Sequence, residues 1–138
     1  MIILVLSVVS CDFNAPLRNR MLNYYTEDSN YVLLVGEIKN IKYSKDNKKI
    51  FLEINIITSD HNIPTNSTTG YGEFAIINWD NYQLPINVGD DVVFTTAPMY
   101  FYDGHFLPIV HLEKDGQEYL SFSDGKEDYC NWIKESFK

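Results

Sequence analysis

The chain is predicted to be mainly β: a five-stranded barrel at residues 31–122, with a short N-terminal helix or tether before it and a C-terminal helix at 123–138. Three observations carry this. In residues 49–57, Ile50, Leu52, Ile54 and Ile56 alternate with Lys49, Phe51, Glu53 and Asn55, the period of a half-buried strand. Short runs rich in Ile, Val, Tyr and Phe are separated by Gly- and Asp-containing turn signals. Beyond residue 123 the apolar spacing changes to three and four, the period of a helix. With 138 residues, 45% hydrophobic and 22% charged, the chain fits one domain with a modest core.

The first element is the run Met1–Ser10, which carries no charged side chain. It is too short for a membrane span of about 20 residues and has the length of a signal-peptide apolar region, about 7–15 residues. No basic stretch precedes Ile2. Val8-Val9-Ser10-Cys11 resembles a bacterial lipobox. The resemblance covers residues 1–12 and implies that 1–10 is a signal peptide and that Cys11 becomes the lipidated first residue. The protein would then be held at the cell envelope, with the membrane as a partner through the lipid. The other reading of the same residues is a buried strand of a cytoplasmic protein.

Residues 11–30 form a tether with a short helix. Asn14 is placed to cap it, Pro16 falls in its first turn, and Leu17, Met21, Leu22 and Tyr25 form its apolar face. The first strand runs over 31–44. Gly36 marks a bend, and the slip in phase between Ile38 and Ile41 marks a bulge. Lys45–Lys48 is a polar turn, and the second strand follows at 49–57. After a loop at 58–70 the third strand is expected over 71–79. Asn66-Ser67-Thr68 matches a glycosylation sequon, a chance match in a bacterial lipoprotein. Pro85 argues against a long helix in the link at 80–88. The fourth strand is expected from Val92 to Tyr100, and Asp103-Gly104 signals a hairpin into a fifth from His105 to Leu112. Asp115-Gly116 turns the chain into a short strand near 119–122. Ser123 or Asp124 is placed to cap the final helix, with Glu127 and Asp128 in its first turn and Tyr129, Trp132, Ile133 and Phe137 as its stripe.

The bent strand Gly36-Glu37-Ile38-Lys39-Asn40-Ile41, the Asn87–Phe94 lead-in to the fourth strand and the hairpin after it resemble an OB-fold over about residues 31–113. That fold binds ligands on strands two and three, between the loop joining strands one and two and the loop joining four and five. The resemblance implies a ligand surface of Tyr43, Lys45, Lys48, Lys49, Phe51, Tyr71, Trp79, Tyr100, Tyr102 and His105. Five of the eleven basic residues fall in 39–49, on a chain whose net charge is −8. The bland reading of these residues is that the lysines keep a turn soluble and the aromatics close a barrel end.

No P-loop, nucleophile elbow, zinc-protease or EF-hand pattern is present. His105 and His111 would share a strand face about 20 Å apart, too far for one metal ion. Cys11 and Cys130 allow one disulfide at most, and Cys130 reads as a small buried hydrophobe. The chain is therefore expected to be no enzyme and to need no cofactor or metal. It is expected to bind a protein or glycan through its aromatic surface. Nucleic acid is the less favoured partner, because the negative charge opposes a phosphate backbone. The alternatives are a cytoplasmic single-strand nucleic-acid binder, pairing Lys45, Lys48 and Lys49 with the aromatics, and a self-associating structural subunit.

Overall fold

The computed structural model describes residues 14–46, 48–58, 61–82, 84–99 and 106–138. Helix α1 (Ala15–Tyr25) is followed by strands β1 (Val32–Tyr43), β2 (Lys49–Thr58), β3 (Gly72–Ile77), β4 (Asp91–Thr96), β5 (Leu107–Lys114) and β6 (Gln117–Leu120), and then by helix α2 (Phe122–Ser136). β1 is antiparallel to β4 through Val32–Glu37 and to β2 through Val35–Tyr43. β2 pairs with β3, β4 with β5, and β3 meets β5 in parallel through Phe74–Leu107 and Ala75–Pro108. That last pairing closes five strands into a barrel with the connectivity of an OB-fold, and β6 adds to the free side of β5.

β1 serves both neighbours because it bends. Its register shifts between Val35 and Gly36, and a Cβ on Gly36 would lie 2.4 Å from Ile54 Cγ2 and 2.9 Å from the Asn55 carbonyl oxygen. Only glycine permits that approach. Alternating residues fill the interior: Leu34 and Ile38 from β1, Ile50, Leu52 and Ile54 from β2, Phe74 and Ile76 from β3, and Phe94 from β4. The rings of Phe74 and Phe94 meet edge to face at 5.0 Å.

A second core lies outside the barrel, where both helices pack on its wall. Met21, Tyr25, Ile77, Val110, Tyr129 and Ile133 form it. The pairing of Thr95 with His111 and of Thr96 with Ile109 leaves Val110 without a partner. This bulge turns Val110 out toward the helices while Ile109 and Leu112 both stay in the interior. Arg18 Nη1 donates to the Phe137 carbonyl at 2.9 Å, and Asn14 Nδ2 to that of Lys138 at 3.3 Å. The start of α1 thereby satisfies carbonyls at the end of α2.

Several ends differ from the sequence expectation. β3 stops at Ile77, short of residue 79, because Asn78 turns left-handed at φ 55° and starts a 3-10 turn over Trp79–Asn81. β4 stops at Thr96, before Pro98, which cannot donate to a ladder. β5 begins at Leu107 and continues to Lys114. Asn14 stands where it was expected, yet its side chain makes no cap bond to α1. The cap of α2 is Ser121, whose Oγ accepts from the Asp124 N–H at 3.2 Å. Ser123 and Asp124 lie inside the first turn.

Candidate binding cleft

The outer face of β1, β2 and β3 carries a cleft of about 300 Å³, lined by Asn40, Lys42, Phe51, Glu53, Glu73 and Phe106 above Leu52 and Phe74. That is the lower end of the size of small-ligand sites. Its residues reach one face by register. Asn40 is opposite Glu53, and Glu53 is opposite Glu73; in the next row Lys42 is opposite Phe51. Ile38 and Ile41 both pack toward the interior although they are three residues apart. The register shift between Ile38 and Asn40 absorbs the extra residue and leaves Asn40 on the outer face.

The apolar part of the cleft is an aromatic pair. Phe51 from β2 and Phe106, just before β5, meet edge to face with centroids 5.6 Å apart. The polar part is two carboxylates directly across from each other on adjacent strands, an arrangement that repels when both are ionised. Glu73 accepts a hydrogen bond from Asn66 Nδ2 at 2.8 Å. Asn66 Oδ1 in turn accepts from the backbone N–H groups of Thr68 and Thr69, so the loop before β3 fixes one glutamate.

The structure brings only part of the expected surface to this cleft. Phe51 lines it. Lys49 lies beside it, its Nζ 5.5 Å from the Trp132 ring centroid in a cation–π contact. Lys45 is exposed in the β1–β2 turn, and Lys48 lies 3.8 Å from Asp80. Tyr71 is half-buried just before β3. Trp79 leaves the strand at Asn78, so it does not share the face of Glu73. Its ring packs against the barrel core and, at 4.9 Å, against the half-exposed Tyr43. The Trp79 indole N–H is buried without a hydrogen-bond partner among the described residues. Cys11, Tyr100, Tyr102 and His105 lie outside the described residues.

The basic patch is also less free than its spacing suggests. Lys39 pairs with Glu37 at 2.6 Å. Asp46 accepts from Ser44 Oγ and from the Lys48 N–H, and these bonds hold its carboxyl below the usual range. Many of the aromatics are likewise engaged in packing. Phe106 contacts Trp132 at 5.8 Å, Trp132 stacks on Tyr129 at 5.4 Å, and Tyr129 meets Tyr25 at 4.9 Å. This chain of rings fastens the helices beside the cleft.

Asn40, Lys42, Glu53, Glu73 and Phe106 are the cleft residues that the expected surface omitted. Glu53 and Glu73 are visible as outward positions of their strands, but the register that sets them opposite each other is not. The class the fold defines is a closed OB-type barrel with a helical flank. No family model matches the chain, and no curated protein or solved structure matches it.

Proposed function

We propose that this protein is a non-catalytic binding module of a bacterial envelope, anchored by lipid on Cys11, that takes a protein or glycan partner in the cleft. The observation carrying this is the pairing of an aromatic floor with hydrogen-bonding walls on the face where OB-type barrels bind. Phe51 and Phe106 offer apolar surface to the C–H face of a sugar or to an aliphatic side chain. Asn40, Glu53 and Glu73 accept from hydroxyl or amine donors, and such a donor relieves the repulsion between the two carboxylates. The same carboxylates disfavour a phosphate backbone. The anchor reading is supported by the closure of the barrel through strands of the described residues alone, the first of them β1 from Val32.

Titration of the labelled full chain with neutral oligosaccharides and with basic peptides, followed by amide shifts, tests the cleft. Saturable shifts are expected around Phe51, Glu53, Glu73 and Phe106, and Phe51→Ala should weaken binding by about tenfold or more, the loss of one well-packed aromatic contact. Salt-sensitive binding of single-stranded oligonucleotide in place of these ligands, or hydrolysis of the bound glycan, would reject the reading. The mass of the mature protein tests the anchor. A diacylglycerol on Cys11 with residues 1–10 removed is expected, and an intact Met1 with unmodified Cys11 would discard it.

A further inference from the structure

The geometry points to a zinc site on the outer face of β5 and β6, formed by His111, Glu113 and Glu118. It shares no residue with the cleft and stands independently of it. His111 Nε2 lies 3.4 Å from Glu113 Oε1 and 3.5 Å from Glu118 Oε2, and one ligand atom from each of the three residues falls within 4.8 Å of the others. The positions come from the hairpin. His111 and Glu113 are two apart on β5, and Glu118 is the register partner of Glu113 on β6.

The spacing fits a metal better than a hydrogen bond. Charge-assisted N–H···O bonds close to about 2.7–2.9 Å, so both contacts are long for a hydrogen bond to the ring. The edge of a tetrahedron is about 1.6 times its bond length. Bonds of about 2.1 Å, usual for zinc to nitrogen or carboxylate oxygen, therefore give edges of about 3.4 Å. The two observed distances match that edge without movement of the ring.

The imidazole is also held for this role. Its other nitrogen, Nδ1, lies 3.0 Å from Thr95 Oγ1 on β4. In the tautomer that donates from Nδ1 to Thr95, Nε2 carries the free lone pair within 3.5 Å of both carboxylates, as in metal-binding histidines oriented by a second bond. His111 is 9% exposed, so little water reaches it to replace a cation. The neighbouring Lys114 does not neutralise the pair, because its Nζ is held by Asp90 at 3.0 Å and by the Pro85 carbonyl at 2.8 Å. Among the described ion pairs, Glu113 and Glu118 meet only His111. Glu118 is half-exposed, which leaves the fourth coordination position open to water or to a partner's donor. A bound ion would join β6, the strand that leads into α2, to β5.

Calorimetric titration of the full chain with zinc chloride in chelator-free buffer, run beside Glu118→Gln, tests the site. One ion per chain is expected, with affinity at least about tenfold weaker in the variant, the least that loss of a direct ligand should cost. Labelled imidazole resonances should show His111 Nε2 shifting on loading. Absence of saturable one-to-one binding would overturn the assignment and leave the cluster as an ion-paired histidine. Equal affinity in Glu118→Gln would overturn it too, by placing the metal elsewhere.

Discussion

Gly125 shows how one residue sets the distance between a helix and the barrel. It lies in the first turns of α2, and a Cβ there would meet the Val110 carbonyl oxygen at 2.1 Å. In an exposed helix, replacing glycine by alanine gains about 1 kcal/mol. Here the methyl would have to push α2 off β5, which costs about 1–3 kcal/mol by overpacking. Gly125→Ala is therefore expected to lower the unfolding free energy in urea by about 2 kcal/mol, and an unchanged or raised midpoint would contradict the close packing. Cys130, a turn further along the same helix, is buried, and burial pushes its thiol up from the ordinary value. A raised thiol is little ionised near neutrality, so it packs as an apolar side chain. Its local sequence was enough to suggest that, because it sits within the apolar stripe of a helix.

At the scale of elements, the turn that launches β4 is tied to the end of β5. Asp90 Oδ2 accepts from the Asn87 N–H at 2.7 Å and from Lys114 Nζ at 3.0 Å. The lysine contact first, and the backbone contact second, hold the Asp90 carboxyl below its usual value. A carboxylate whose folded value is depressed contributes stability above its unfolded value, about 3.9, and loses it as pH falls through the folded one. Asp90→Asn should thus melt at a lower temperature than the parent at pH 7, and the gap should close as pH falls below about 4. A gap that persists under acid would assign the effect to the turn and not to the charge. The Asn87–Phe94 lead-in to the fourth strand was readable from its residue types. Its partner Lys114 was not, since nothing local links the two. The ends of β3 and β4 were misjudged for a similar reason: apolar composition continued past the point where Asn78 and Pro98 end the ladder.

For the whole molecule, the barrel forms a closed ring from residues 32 to 114, and the helices then cover part of its outer wall. The described residues of the ring make each of its five pairings within 32–114. A chain beginning at Asn14 is accordingly expected to keep the melting temperature of the full chain, measured by circular dichroism, and a large drop would mean that residues 1–13 belong to the fold. What the sequence by itself determined was the kind and order of the elements. The alternation of Ile50, Leu52 and Ile54, the bend at Gly36, the slip between Ile38 and Ile41 and the stripe from Tyr129 to Phe137 are all local periodicities, and local periodicity decides which face of an element is apolar. Only the tertiary structure decided which faces meet. Register set Glu53 opposite Glu73 and Glu113 opposite Glu118, and the packing of α2 engaged Trp132 and Lys49 beside the cleft. Those outcomes depend on contacts between residues far apart in the chain, where side-chain fit and the closure of β3 on β5 select one pairing among many that the same pattern allows.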